Sequence, residues 1–281
     1  MEYFISLQST KLSEQEKKLL EKSAVCGVLL FGRNVLSYET TKKLVNEIKA
    51  VRSNIKIAVD EEGGIVSRFT HLIANYSQPY IATLPLEQVR GYYRMRSHFL
   101  KDLGIDVNFA PVVDISLSED SYVFKRSYGS DLEKIITLSN ICIEEQRNAG
   151  LLSCIKHFPG HGRAIDNSHE KLPVVSISQE EWNNMEFKVF KSVIGNGVDC
   201  VMVGHLLFPK ISDQISSVSN YWINDVLKQQ LNFKGKVICD DIFMKGLSES
   251  IDTSTIKSFE GVGLNQLIIS DPENPILTRL V

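Results

Sequence analysis

The sequence predicts an α/β fold, a TIM-like (β/α)8 barrel built as one domain over residues 1–281. Three observations carry that prediction. Short apolar runs recur along the whole chain, rich in Val, Ile and Leu with little polar alternation, which is how strands buried on both faces read. Amphipathic stretches with apolar residues at helical spacing separate these runs. No G-x-G-x-x-G follows the first run, which argues against an open dinucleotide-binding sheet.

In order, the strand runs are EYFISL at 2–7, CGVLLF at 26–31, IKIAVD at 55–60 and DVNFA at 106–110. LLSCIK at 151–156, DCVMV at 199–203, KVICD at 236–240 and NQLIIS at 265–270 complete the set. Helices are predicted over 13–24, 38–52, 86–104, 131–150, 180–197 and 224–232. The first opens with Ser13 three residues before Glu16, a capping-box pattern. Several end at a glycine, such as Gly104, Gly150 and Gly197, where a left-handed residue closes a helix without strain. After the last strand only DPENPILTRLV remains, so the final barrel helix is expected to be truncated.

Composition narrows the functions. The chain is 43% hydrophobic and 23% charged with a formal net charge of −3, so neither nucleic acid nor an anionic membrane is an expected partner. The five cysteines are scattered singly with no C-x-x-C pair, the usage of a reduced, cytoplasmic protein. The N-terminal MEYFISLQSTK has no basic start or long apolar region, and no apolar run approaches the ~20 residues that span a bilayer.

In a barrel, the ends of the strands and the loops after them build the active site. That rule selects Asp60, Glu61 and Glu62 after the third strand and Asp114 beyond the fourth. It also selects Lys156 and His157 at the fifth, His205 after the sixth, and Asp240 and Asp241 at the seventh. A single acid at a strand end is as readily a helix cap; the whole set, beside the glycine-bearing loops EEGG, FPGHG and MKGL, reads as a functional rim.

The densest stretch is KHFPGHGRAIDNSHE at 156–170, which holds three of the six histidines: His157, His161 and His169. His157 and His161 are four apart, the spacing of paired metal ligands on a helix, but Pro159 and Gly160 between them break any helix. A zinc site would also require a third ligand, such as Asp60 or His205.

Several segments together resemble glycoside hydrolase family 3, in particular its single-domain bacterial β-N-acetylglucosaminidases of cell-wall recycling. They are GVLLFGRN, IAVDEEGGIVSRF, LGIDVNFAPVVDI, KRSYG, KHFPGHG followed by SHEKLP, VMVGHLLFP and VICDDIFMKGL, in family order over nearly the whole chain. The resemblance implies a barrel that removes terminal β-linked N-acetylglucosamine from peptidoglycan-derived muropeptides, a small carbohydrate substrate, with no metal or cofactor. It implies Asp240 as nucleophile and His169 as acid/base. Asp60, Arg126, Lys156 and His157 match residues that hold the sugar, and Arg68 and His205 are expected to shape the same pocket. The chemistry is consistent: a retaining glycosidase needs an attacking carboxylate and a second group that first donates and then removes a proton. Histidine has both protonation states near neutrality and can serve.

Two positions depart from the family pattern. Its dyad aspartate falls on Asn167, whose amide can accept an imidazole N–H but supplies no charge. Slower catalysis is therefore expected, unless Asp166 takes over the role. The arginine of the family's Gly-Gly-Arg-Val is Ile65.

Overall fold

The computed structural model describes residues 1–247 and 253–274. Eight parallel strands close into a barrel in chain order, with the first strand pairing the last. They are β1 (Glu2–Ile5), β2 (Val25–Leu30), β3 (Lys56–Val59), β4 (Val107–Asn108), β5 (Leu152–Phe158), β6 (Cys200–Val203), β7 (Lys236–Asp241) and β8 (Gln266–Ile269). Every predicted run supplies a strand, although β4 keeps only two ladder residues before Ala110–Pro111 ends it.

Alternate strand residues split between two cores. Phe4, Leu29, Ala58, Val107, Cys154, Met202, Ile238 and Ile268 point inward and, with Phe109, plug the barrel. Phe4 and Phe109 meet edge to face at 5.4 Å. Their strand neighbours point outward and pack against the helices.

Helices α1 (Glu14–Leu20), α2 (Tyr38–Val51), α4 (Leu86–Leu103) and α5 (Leu132–Asn148) lie inside predicted spans. The Ser13–Glu16 capping box forms, and Gly104 closes α4 at φ 93°. The span predicted as one helix over 180–197 is two, α6 (Gln179–Asn184) and α7 (Glu186–Gly195), broken at Met185 with ψ −82°. The segment Tyr221–Gln230 is wound as a π-helix. Two helices have no counterpart in the prediction: α3 (Gln78–Ile81), started by the Ser77 cap, and α8 (Thr253–Gly261). The truncated last helix expected after β8 falls in 275–281, outside the described residues. Among the described residues no helix is long and apolar enough to cross a membrane.

Candidate active site

Strands β3 and β5 deliver the charged floor of the site. Glu62, three residues beyond β3, is buried and accepts two hydrogen bonds from Arg126, from Nε and Nη2, each at 2.8 Å. Lys156 Nζ, at the end of β5, bridges Glu62 Oε1 and Asp60 Oδ1 at 2.7 Å each. Asp60 also meets Arg68 Nη2 at 3.3 Å. Burial alone would neutralise Glu62, but Arg126 and Lys156 outweigh it and hold the carboxyl below the usual range. Burial opposes the charge on Lys156 as well; Asp60 and Glu62 overcome that and raise its pKa. These groups thus persist as ions only as a set, and removing one member leaves a buried charge unpaired.

Consecutive residues of a regular strand face opposite ways, yet Lys156 and His157 both line the site. The β5–β6 register shifts between Ile155 and Phe158, an irregularity that re-aims side chains at a strand end. His157 Nδ1 bonds Asp114 Oδ2 at 2.7 Å, and its Nε2 lies 3.1 Å from Arg126 Nη2. Nδ1 therefore carries the hydrogen and Nε2 accepts from the guanidinium. Asp114, 1% exposed, also accepts the main-chain N–H groups of His157 and His161. Burial works against its charge, and the two histidines more than offset that, so its pKa is lowered.

Asp240 stands near the end of β7. Burial opposes its ionisation, but His157, His205, the Asp241 N–H at 2.8 Å and Lys156 prevail and lower its pKa. It is a carboxylate ready to act as one. Asp241 is turned toward β8, where the Ser270 N–H and hydroxyl both donate to it, and burial raises its pKa.

His205, expected to shape the sugar pocket, stands behind the cavity wall and is not among the residues that line it. It is fully buried, with Nδ1 2.7 Å from Ser217 Oγ and Nε2 3.0 Å from the Asp241 carbonyl. Both ring nitrogens are engaged behind the β7 end, so its hold on the site runs through the Asp240–Asp241 backbone.

The loop after β5 crosses toward the mouth. Gly160 adopts φ 131° against Glu186, and any side chain at Gly162 would run into the Ile115 carbonyl, so this turn admits only glycine. Beyond it, Ser168 is buried while His169 is exposed. Asn167 Oδ1 accepts the His169 main-chain N–H at 3.0 Å, and its Nδ2 donates to Glu170 at 3.2 Å. The amide caps its own turn, with both of its polar atoms turned to the His169 N–H and Glu170 rather than to the His169 ring. Asp166 is paired with Lys171 at 2.8 Å. Neither candidate dyad partner is joined to the imidazole here.

These parts surround a cavity of about 320 Å³ above the barrel plug. Its walls bring together Asp60, Arg68, Arg126, Lys156, His157, His169 and Asp240 from the sequence-derived set. Sequence reasoning undervalued Glu62, the hub of the ion set, and Asp114, which orders both histidines; both were rim acids without a role. It missed Tyr122, whose ring lines the cavity beneath the Arg126 guanidinium at 5.9 Å. Among the described residues, no group of three or more His, Cys, Asp or Glu side chains is arranged to hold a metal ion.

An ionised carboxylate and a histidine on the wall of one small cavity, over a floor of paired ions at the C-terminal end of a barrel, are the working parts of a glycosidase. Residues 3–258 match the model of the glycosyl hydrolase family 3 N terminal domain, and the chain belongs to that family; it is a glycoside hydrolase. The chain is 34% identical over 251 residues to a beta-hexosaminidase of Histophilus somni, covering 86% of this chain and 71% of the relative. A beta-hexosaminidase of Hydrogenovibrio crunogenus is 34% identical over 262 residues, covering 89% and 73%. Among solved structures, native NagZ from Neisseria gonorrhoeae superposes with a TM-score of 0.90 at 28% identity, over 99% of this chain and 83% of that one. A family 3 beta-N-acetylglucosaminidase from Paenibacillus gives 0.88 at 26% identity, and this chain spans 53% of its length.

Proposed function

We propose that the protein is a retaining exo-β-N-acetylglucosaminidase that removes terminal β-linked N-acetylglucosamine from peptidoglycan-derived muropeptide sugars. The observation that carries this reading is Asp240, a carboxylate kept ionised on the wall of a cavity that also presents His169. The cavity sits at the small end of the ~300–1,000 Å³ range of ligand pockets, which favours one terminal sugar over an internal stretch of polymer. The names of the relatives, beta-hexosaminidase and NagZ, support an N-acetylhexosamine in it. The muropeptide aglycone and a cytoplasmic location rest on the resemblance to cell-wall recycling enzymes.

In the first step an Asp240 oxygen bonds the anomeric carbon as the glycosidic C–O bond breaks. The bonding pair leaves on the aglycone oxygen, which takes a proton from His169. In the second, His169 accepts a proton from water, whose oxygen attacks the same carbon and releases the Asp240 carboxylate. Asp60, Lys156, His157, Arg126 and Arg68 hold the sugar hydroxyls and acetamido group. His169 stands exposed on the cavity wall, where movement of its loop would bring it onto the leaving oxygen, the usual work of a closing loop.

A second reading is favoured by Asn167, which gives the His169 ring no charged partner. It makes the protein a sugar-binding homologue with little turnover. Hydrolysis of a fluorogenic N-acetyl-β-glucosaminide by the folded protein separates the two. Release of the fluorophore supports the enzyme, and binding of N-acetylglucosamine without release supports the binding protein.

A further inference from the structure

The geometry points to His161 as a positioning residue that sets the height of the catalytic loop through the Ser168 hydroxyl. A hydrogen-bonded chain runs from the sugar clamp through Asp114 and His161 to Ser168, the residue before the acid/base histidine. The inference rests on the reading of His169 as acid/base, and it assigns work to a histidine that the mechanism does not otherwise use.

His161 is 2% exposed and anchored through its main chain, whose N–H donates to Asp114 Oδ1 at 2.7 Å. The same carboxylate holds the His157 ring, so both histidines are referenced to one fixed group. The His161 ring packs against Tyr122 at 5.3 Å and His157 at 5.7 Å between centroids, contacts it would forfeit by swinging away. Its Nε2 lies 3.3 Å from Ser168 Oγ, and its Nδ1 has no hydrogen-bond partner. A hydrogen on Nδ1 would bury an unpaired donor, which is rarer and costlier than a bare acceptor. The hydrogen therefore sits on Nε2, and His161 donates to the Ser168 hydroxyl.

Ser168 is the point where that donation matters. It is 3% exposed between half-buried Asn167 and exposed His169, the one inward residue of the turn. Its carbonyl accepts the Gly246 N–H at 2.9 Å, which ties the same residue to the loop after β7, the strand that carries Asp240. Side chain and main chain of Ser168 thus connect the acid/base loop to the clamp on one side and to the nucleophile strand on the other. With no bond from Asn167 or Asp166 to the His169 ring, Ser168 is what defines where that ring can reach.

The test uses the full chain and an aryl N-acetyl-β-glucosaminide with an activated leaving group, comparing wild type with Ser168→Ala, Ser168→Thr, His161→Phe and His161→Gln. Ser168→Ala and His161→Phe should lower kcat about tenfold or more, the scale of a modest misplacement of a reacting group. Inhibition by N-acetylglucosamine should stay within about twofold, because the clamp is untouched. Ser168→Thr and His161→Gln, which keep the hydroxyl and the donor, should recover most of the rate. Sodium azide adds a signature that loosened packing cannot give. The anion attacks the glycosyl-enzyme without needing a base, displaces the Asp240 carboxylate and forms the glycosyl azide, so it should restore turnover of Ser168→Ala. A kcat within about twofold of wild type in Ser168→Ala, or a loss that azide does not mend, would overturn the proposal. If wild type itself does not turn over, the enzymatic reading fails separately. The latch is then read from the His169 ring signals in NMR spectra, which Ser168→Ala should shift; unchanged signals would overturn it.

Discussion

The floor of the cavity and the loop that arches over it are built by opposite means. The floor is a connected set of buried and half-buried charged groups: Glu62 between Arg126 and Lys156, Asp60 between Lys156 and Arg68, and Asp114 holding the His157 ring. The loop at 165–171 carries an exposed His169 and is held by a few hydrogen bonds around Ser168 and Asn167 and one surface ion pair, Asp166–Lys171. A floor of paired ions recognises one ligand shape and resists rearrangement, whereas a lightly tied loop can approach and withdraw at modest cost. On the proposed mechanism, the difference amounts to a division of labour: substrate recognition falls to the rigid half, and proton transfer to the lightly held loop.

Predictions follow from that division. The largest effect belongs to the proposed nucleophile: Asp240→Ala should lower kcat by at least about 10³-fold while sparing N-acetylglucosamine binding, as read by fluorogenic hydrolysis and by calorimetry. Loss of binding along with activity would place Asp240 in the recognition half instead. Next is the floor. Glu62→Gln leaves Arg126 and Lys156 short of a counter-charge and should cost about 3–5 kcal/mol of stability, measured by denaturant unfolding, together with most sugar affinity. A variant of native stability would show that the ion set is less interdependent than its geometry implies.

A smaller effect is expected from a pH titration of stability. Burial and the neighbouring His157 push the His161 pKa from 6.5 down to about 4. Between those values the unfolded chain binds a proton that the folded chain does not, so stability falls as pH drops through that window. The contribution is about 3 kcal/mol across it, and His161→Gln should flatten the wild-type slope there. A slope of equal size in the variant would assign the effect to other groups. The smallest change is in the loop. Asn167→Asp should raise kcat by up to about fivefold, the scale of an exposed ion pair, provided the new carboxylate turns from its cap toward the ring. An unchanged kcat in steady-state assays would mean that the turn, not the charge, sets the side chain's direction.

The contrast between the halves also marks what the sequence could reveal. Strand positions were legible because buried parallel strands read as unbroken Val/Ile/Leu runs, and the rim followed from counting to their ends. The inward acid of Asp60-Glu61-Glu62 was not legible. Glu61 turns to an ion pair with Arg96 and accepts the Arg68 N–H, while Glu62 enters the hub; a choice between adjacent identical side chains is made by the turn at Gly63 and Gly64, not by composition. Helix α8, with Thr253, Ser254 and Thr255 at its start, has few strong helix formers and is specified by tertiary packing of Ile256 and Phe259. The break at Met185 was hidden for the converse reason, since its flanks both carry helical periodicity. In the loop, the sequence exposed the missing aspartate at Asn167, but only the structure shows its amide spent on the His169 N–H and Glu170.

The most direct test of the central claim is covalent trapping. The protein is incubated with a 5-fluorinated N-acetylglucosaminyl fluoride, digested, and the peptides are weighed by mass spectrometry. The account predicts a glycosyl ester on the peptide containing Asp240, absent from Asp240→Ala. An active sample that yields no ester, or carries it on another residue, would contradict it.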